Sequence, residues 1–287
     1  MTNFFIDRLA KQYENKISEQ TKLREILQQA ALYGLKRVGF FDKAAFYEGT
    51  ALRILYGLNR FSEDLDFSLL KKETNFDFSP YLEGLKNELD SMGFNLQIEK
   101  KVKNIETVVQ SAFLKMNTIE LLLTIGEVEK SKKINHNQNV CIKIEVDTDP
   151  PGDFKFEEKL VLSPSPFYVL TLAPSFLFAG KVHAILCRSW KGRIKGRDYY
   201  DFAWYITKKI PLNLEYLNKA LQQSGFLLGD EFLSKEILIR KLIEKFQSIN
   251  WEDAKNDVKP FVFDSSVLDI WSATFFSNLC DFLIVEN

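Results

Sequence analysis

The sequence predicts an α+β protein, with strands and flanking helices in the N-terminal half and helices alone in the C-terminal half. Three observations carry that reading. DLDFSLL (64–70) and NVCIKIEVDT (139–148) alternate apolar and polar residues, the period of a half-buried strand. SEQTKLREILQQAALYGLKR (18–37) and TALRILYG (50–57) place apolar residues at helical spacing in the same half. Beyond residue 174 the pattern is helical throughout. A tract rich in proline at 150–166 lies between and reads as a boundary or a long excursion, with room for one more hairpin. We therefore expect an α/β domain over 1–165 and a helical domain over 166–287.

Taken in order, Ser18 is placed to cap the first helix, where its side chain can accept from a free N–H of the first turn. KAAFYEG (43–49) suits a brief strand or the entry to a turn, and the helix after it closes on Gly57. A strand over 64–70, a helix near 79–92 and strands near 95–102, 107–115 and 139–148 complete the first half. Pro174 opens PSFLFAGKVHAILCR (174–188) as a residue suited to a first helical turn. Further helices are expected over 197–209, 213–223, 231–248 and 265–285.

Composition removes several classes of function. A net charge of −1 gives no global field toward nucleic acid or membrane, so any basic site must be local and no DNA binding is expected. Three dispersed cysteines without a C-x-x-C pair argue against a disulfide framework or a zinc site. Two histidines, His136 and His183, exclude a histidine cage. The N-terminus is too polar for a signal peptide and no apolar run approaches the ~20 residues of a membrane span. A soluble, cytoplasmic protein is expected. Twenty-five phenylalanines suggest a well-filled core or a greasy contact surface.

The acids carry the chemistry. Residues two apart on a strand share a face, so Asp64 and Asp66 project together while Leu65 and Phe67 enter the core. The same rule puts Lys143, Glu145 and Asp147 opposite Ile142, Ile144 and Val146. Gathered carboxylates repel unless a cation or a raised pKa relieves them. Mg²⁺, or Mn²⁺, is the natural candidate, because Mg²⁺ takes one or two carboxylates together with substrate phosphates and water. Gly49-Thr50, opening a helix, offers backbone N–H groups and a hydroxyl as a seat for phosphate. Together these suggest a nucleoside triphosphate substrate and phosphoryl or nucleotidyl transfer.

At this point EGTALRILYGLNRFSEDLDF (48–67) resembles the opening motif of the AbiEii-type nucleotidyltransferases, toxins of type IV toxin–antitoxin and abortive-infection systems. IKIEVD, FAGKVHAILCR and KGRDYYDFAW are similar to the family's second, third and fourth motifs. Glu48 stands where the family usually has a glycine. The resemblance implies a DNA polymerase β-like fold with a mixed sheet, the helical half completing the active site. It implies metal ligation by Asp64, Asp66 and Glu145, with Asp147 as the alternative third acid. It further implies phosphate contacts from Gly49 and Thr50, roles for Lys181 and Asp198, and secondary roles for Lys143 and Arg197. The implied partners are an NTP, a tRNA 3′ end or another RNA acceptor, and a cognate antitoxin.

Each feature has a plainer reading beside the functional one. A D-x-D pair also occurs in solvated turns and in glycosyltransferases. Lys181 could snorkel from an apolar helix, and Asp198 and Asp201 could simply favour a helix dipole. Tyr199, Phe202 and Trp204 suit a core, and His183 suits a satisfied core position. RSWKGRIKGR (188–197) is either a solvated loop or a phosphate-binding rim. A degenerate binding module and a small-molecule nucleotidyltransferase stand as alternatives to the toxin enzyme.

Overall fold

The computed structural model describes residues 18–101, 109–124, 128–133, 135, 137–188 and 194–287. The chain forms two compact units: residues 1–56, 62–150 and 156–171 make the first, and 57–61, 151–155 and 172–287 make the second.

In the first unit, α1 (Glu19–Arg37) starts where the Ser18 hydroxyl accepts from the Thr21 N–H at 3.2 Å. β1 (Ala44–Tyr47) leads directly into α2 (Glu48–Tyr56), and β2 (Leu65–Leu69) follows. Then come α3 (Ser79–Ser91), β3 (Gln97–Lys101) and β4 (Val109–Asn117). The short helices α4 (Thr118–Thr124) and α5 (Val128–Ser131), absent from the sequence reading, precede β5 (Asn139–Asp147). The anticipated hairpin in the proline-rich tract is β6 (Phe156–Val161) and β7 (Phe167–Leu172).

These strands form one mixed sheet of seven in the order β3-β4-β5-β2-β1-β7-β6. β2 is antiparallel to β1 and parallel to β5, while β3, β4 and β5 run antiparallel in turn. The apolar side chains of the alternating strands fill the core: Leu65 and Phe67 of β2 and Ile142, Ile144 and Val146 of β5 are buried together with Leu27, Ala30 and Ala31 of α1. Phe40 packs edge-on against Phe67 at 5.1 Å and lies 5.2 Å from Phe78, which accounts for several of the phenylalanines.

In the second unit, α6 (Pro174–Cys187), α7 (Gly196–Thr207), α8 (Leu214–Gln223) and α9 (Lys235–Gln247) occur close to where sequence placed them. A two-residue strand β8 (Leu212–Asn213) precedes α8. α10 (Trp251–Val258) was not anticipated; Asn250 caps it, accepting from the N–H groups of Glu252 and Asp253. The long helix expected over 265–285 is instead broken. A 3₁₀ turn at Ser265–Leu268, α11 (Ala273–Leu279) and a second 3₁₀ turn at Cys280–Phe282 occupy it. The cause is local capping: Asp264 and Ser272 each accept backbone N–H groups ahead of a new turn, which restarts the chain twice. β9 (Val285–Glu286) ends the chain in parallel pairing with β8.

Tyr199 and Phe202 of α7 are core residues, packed against Phe246, Trp251 and Phe276. His183 is half-buried and shares a 3.0 Å hydrogen bond with the Ser224 hydroxyl. His136 lies outside the described residues. Among the described residues no helix is long and apolar enough to cross a membrane.

Candidate active site

The sheet of the first unit brings the acids of β2 and β5 side by side. Asp66 is in register with Glu145, and Ser68 with Asp147, across parallel strands. Hydrogen-bonded strands lie about 4.8 Å apart, so Asp66 and Glu145 leave the same face as neighbours. Ser111 on β4 is opposite Glu145 and donates to its Oε1 at 3.1 Å; Tyr47 on β1 is opposite Asp66. The Lys143 Nζ lies 2.6 Å from Glu145 Oε1. Both side chains are about a quarter or more exposed, so this pair contributes about 1 kcal/mol at most and can open to a stronger partner. Asp147, one pleat further along, accepts from the Asp149 N–H at 3.0 Å. Burial raises its pKa above the usual carboxylate value, and the nearby Asp149 charge acts in the same sense.

Asp64 sits just before β2, and its position is set from two sides. The fully buried Thr50 hydroxyl donates to the Asp64 carbonyl. Gln28 of α1 donates to the carbonyls of Ser62 and Glu63 at 3.1 and 3.0 Å, and Arg24 pairs with Glu63 at 3.0 Å. Gly49 is buried in the first turn of α2, and Glu48 begins that helix with φ 64. The left-handed region favours glycine, which explains why a glycine suits this position and what Glu48 costs: roughly 1–2 kcal/mol of backbone strain.

Two of the three residues expected to hold a metal, Asp66 and Glu145, are therefore strand neighbours, with Asp64 on the turn that leads to them. Among the described residues no three His, Cys, Asp or Glu side chains are gathered as a ready metal cage. Mg²⁺ does not require one. It keeps most of its water and binds through one or two carboxylates plus substrate phosphates, which the Asp66–Glu145 pair fits.

The second unit holds a buried charge network. Lys181 of α6 lies 3.0 Å from Asp198 and 3.1 Å from Asp201, which share one face of α7 at i, i+3 spacing. Arg60 grips Asp201 with two hydrogen bonds of 2.6 Å, and Arg188 reaches Asp198 at 2.8 Å. Arg60 and Lys181 are 3% exposed and Asp201 is 0% exposed, so Lys181 does not snorkel and the two aspartates serve side-chain charge rather than the helix end alone. Three cations surround two carboxylates, leaving the network positive by one. The Arg197 guanidinium lies 4.1 Å over the Phe261 ring.

Residues 30–273 match the model of the AbiEii nucleotidyl transferase toxin family, type IV toxin–antitoxin system. The chain belongs to that family. No curated protein matches the sequence of this AbiEii member. Its fold is similar to the crystal structure of JHP933 from Helicobacter pylori, at 20% identity and TM-score 0.51 over 92% of this chain and 90% of that one. A second H. pylori crystal structure, carrying a nucleotidyltransferase designation, matches at 20% identity and TM-score 0.51 over 92% and 95% of the two chains. At that identity the likeness shows the fold.

Sequence reasoning passed over Arg60 and Asp201 of this AbiEii chain as functional candidates. Both lie inside the motifs it used, Arg60 in RFSEDLDF and Asp201 in RDYYDF. The available signal was the spacing of Asp201 three residues after Asp198, which puts two acids on one helix face. Arg60 carried none, because its partner lies 141 residues away.

Proposed function

We propose that this AbiEii-family chain is a metal-dependent nucleotidyltransferase toxin that transfers NMP from an NTP to a hydroxyl of an RNA acceptor, releasing pyrophosphate. The observation that carries the proposal is the register of Asp66 with Glu145, beside a turn that Thr50 and Gln28 hold at Asp64. Asp64, Asp66 and Glu145 would hold Mg²⁺ or Mn²⁺, which supplies charge neutralisation for a bound triphosphate. Buried Thr50 acts through the Asp64 carbonyl, while the α2 N-terminus offers the backbone N–H of Gly49 to phosphate. Lys143 alternates between Glu145 and an incoming anion. Asp147 is suited to accept the proton of the attacking hydroxyl, because burial raises its affinity for protons. Within the second unit, Lys181 is fixed between the carboxylates of Asp198 and Asp201 and is the positive charge we assign to phosphate neutralisation, with Asp198 orienting it. The tRNA 3′ end is the acceptor we favour, the cytoplasm the compartment, and a neighbouring antitoxin the partner.

The test incubates the protein with α-³²P-labelled NTPs, Mg²⁺ and total RNA. Transfer of label by wild type, abolished by Asp66→Ala with the circular dichroism spectrum unchanged, supports the proposal. Equal labelling by both proteins overturns it. Glu48 in place of glycine and the Lys143–Glu145 pair favour a second reading, a module that binds NTP without chemistry. Calorimetric NTP binding without pyrophosphate release from any acceptor would select it, and transfer that needs no RNA would select a small-molecule substrate.

A further inference from the structure

A cavity of about 190 Å³ opens in the helical unit, beside the outer end of the charge network. Arg188, Lys195, Lys245, Asp198, Tyr199 and Ile249 are among its walls. Its charged lining is three cations and one acid, and the oxygens of that acid already take Lys181 at 3.0 Å and Arg188 at 2.8 Å. The charged side chains of the lining carry a net formal charge of +2. Lys245 comes from the last turn of α9 and Lys195 from the residue before α7, so two separate elements converge with like charge.

The other walls refine the ligand. Ile249 and the isoleucines 185 and 194 give an apolar side, unsuited to a bare inorganic ion and suited to a sugar or base. Tyr199 remains a hydrogen-bond donor, since burial and then the Asp198 charge hold its hydroxyl protonated. The volume is below the roughly 300 Å³ at which pockets begin to hold drug-sized ligands whole. A complete nucleoside triphosphate is too large; one phosphate ester with its sugar is not.

We propose that this cavity is a phosphate-ester subsite, with Lys195 and Lys245 as its anion-binding residues. It rests on the nucleotidyl-transfer reading only for the source of the phosphate, either a strand of RNA or a free mononucleotide. Lys245 and Lys195 lie outside the residues assigned to catalysis, so their variants probe binding separately from chemistry.

The experiment titrates wild type, Lys245→Met, Lys245→Arg and the double variant Lys195→Met/Lys245→Met with two probes. AMP is followed by calorimetry, and a fluorescein-labelled 12-nucleotide single-stranded RNA by anisotropy across a series of NaCl concentrations. If an RNA strand is the source, Lys245→Met lowers the slope of log K against log salt by about 0.7, the value of one lost single-strand phosphate contact, and Lys245→Arg restores it. If a mononucleotide is the source, the AMP affinity falls about tenfold and the RNA slope is unchanged. A double variant that binds both probes as wild type does, with the same salt slope, overturns the proposal. Binding lost in these variants of a protein that transfers no label would keep the subsite and refute the catalytic reading; the converse would do the opposite.

Discussion

Replacing Asp201 by asparagine tests the charge network at its most buried point. Asp201 accepts two 2.6 Å hydrogen bonds from Arg60 and lies 3.1 Å from the Lys181 Nζ, with no exposure to solvent. The asparagine keeps the shape and removes the charge, leaving Arg60 without its carboxylate and Lys181 and Arg188 sharing that of Asp198. Breaking a buried pair from one side typically costs 3–5 kcal/mol, because the partner stays charged and unmatched. We expect Asp201→Asn to lose about 3–5 kcal/mol in urea denaturation followed by tryptophan fluorescence; Trp251 and Trp271 lie in the aromatic cluster of this unit. The double variant Arg60→Met/Asp201→Asn removes both sides of the pair and should recover about 1–3 kcal/mol of the summed single losses. A single variant within about 0.5 kcal/mol of wild type, or strictly additive losses, would refute the view that these residues act as one buried unit.

Three further outcomes follow from the geometry. Glu48→Gly should raise the stability of the first unit by roughly 1–2 kcal/mol in the same denaturation assay, since glycine accepts φ 64 without the strain a side chain brings. Asp147 has a raised pKa in the folded protein, so the folded state holds its proton more tightly than the unfolded chain does. Its contribution to stability therefore falls as pH rises from the usual carboxylate value through the higher folded one, and Asp147→Asn should lack that decline when melting temperature is followed with pH. Burial pushes the Cys280 thiol up to about 12, with Asp281 acting in the same direction, so iodoacetamide at pH 8 should leave it unmodified until the protein is denatured, as read by mass spectrometry.

What the sequence revealed followed from short-range periodicity. Alternation in CIKIEVD assigned Ile142, Ile144 and Val146 to the core and Lys143, Glu145 and Asp147 to the other face, and the burial pattern agrees. Ser18 identified itself as a cap by its chemistry alone. The pairing of β2 with β5 was a different matter: two acidic faces could be read, but no local signal says that Asp66 meets Glu145 rather than Asp147. That is decided by register, which depends on packing of the whole sheet. The helical half failed where polar caps were hidden in an apolar run. Asp264 and Ser272 look incidental in DSSVLDIWSATFF, and only the observed hydrogen bonds show that each begins a new turn. The role of Thr50 was similarly masked, because a hydroxyl after glycine at a helix start suggests a ligand before it suggests the carbonyl of residue 64.

Residues 57–61 belong with the helical unit although the chain on both sides of them belongs with the sheet. Arg60 therefore meets its acid within one unit while lying only four residues from the turn at Asp64. A gene truncated after codon 171 would encode Arg60 without Asp201, and the complementary piece would keep Asp201 with Lys181 but without the two hydrogen bonds from Arg60. Split-protein complementation or domain exchange within the family would have to transplant this pentapeptide along with the C-terminal cassette, even though it is encoded more than a hundred codons upstream.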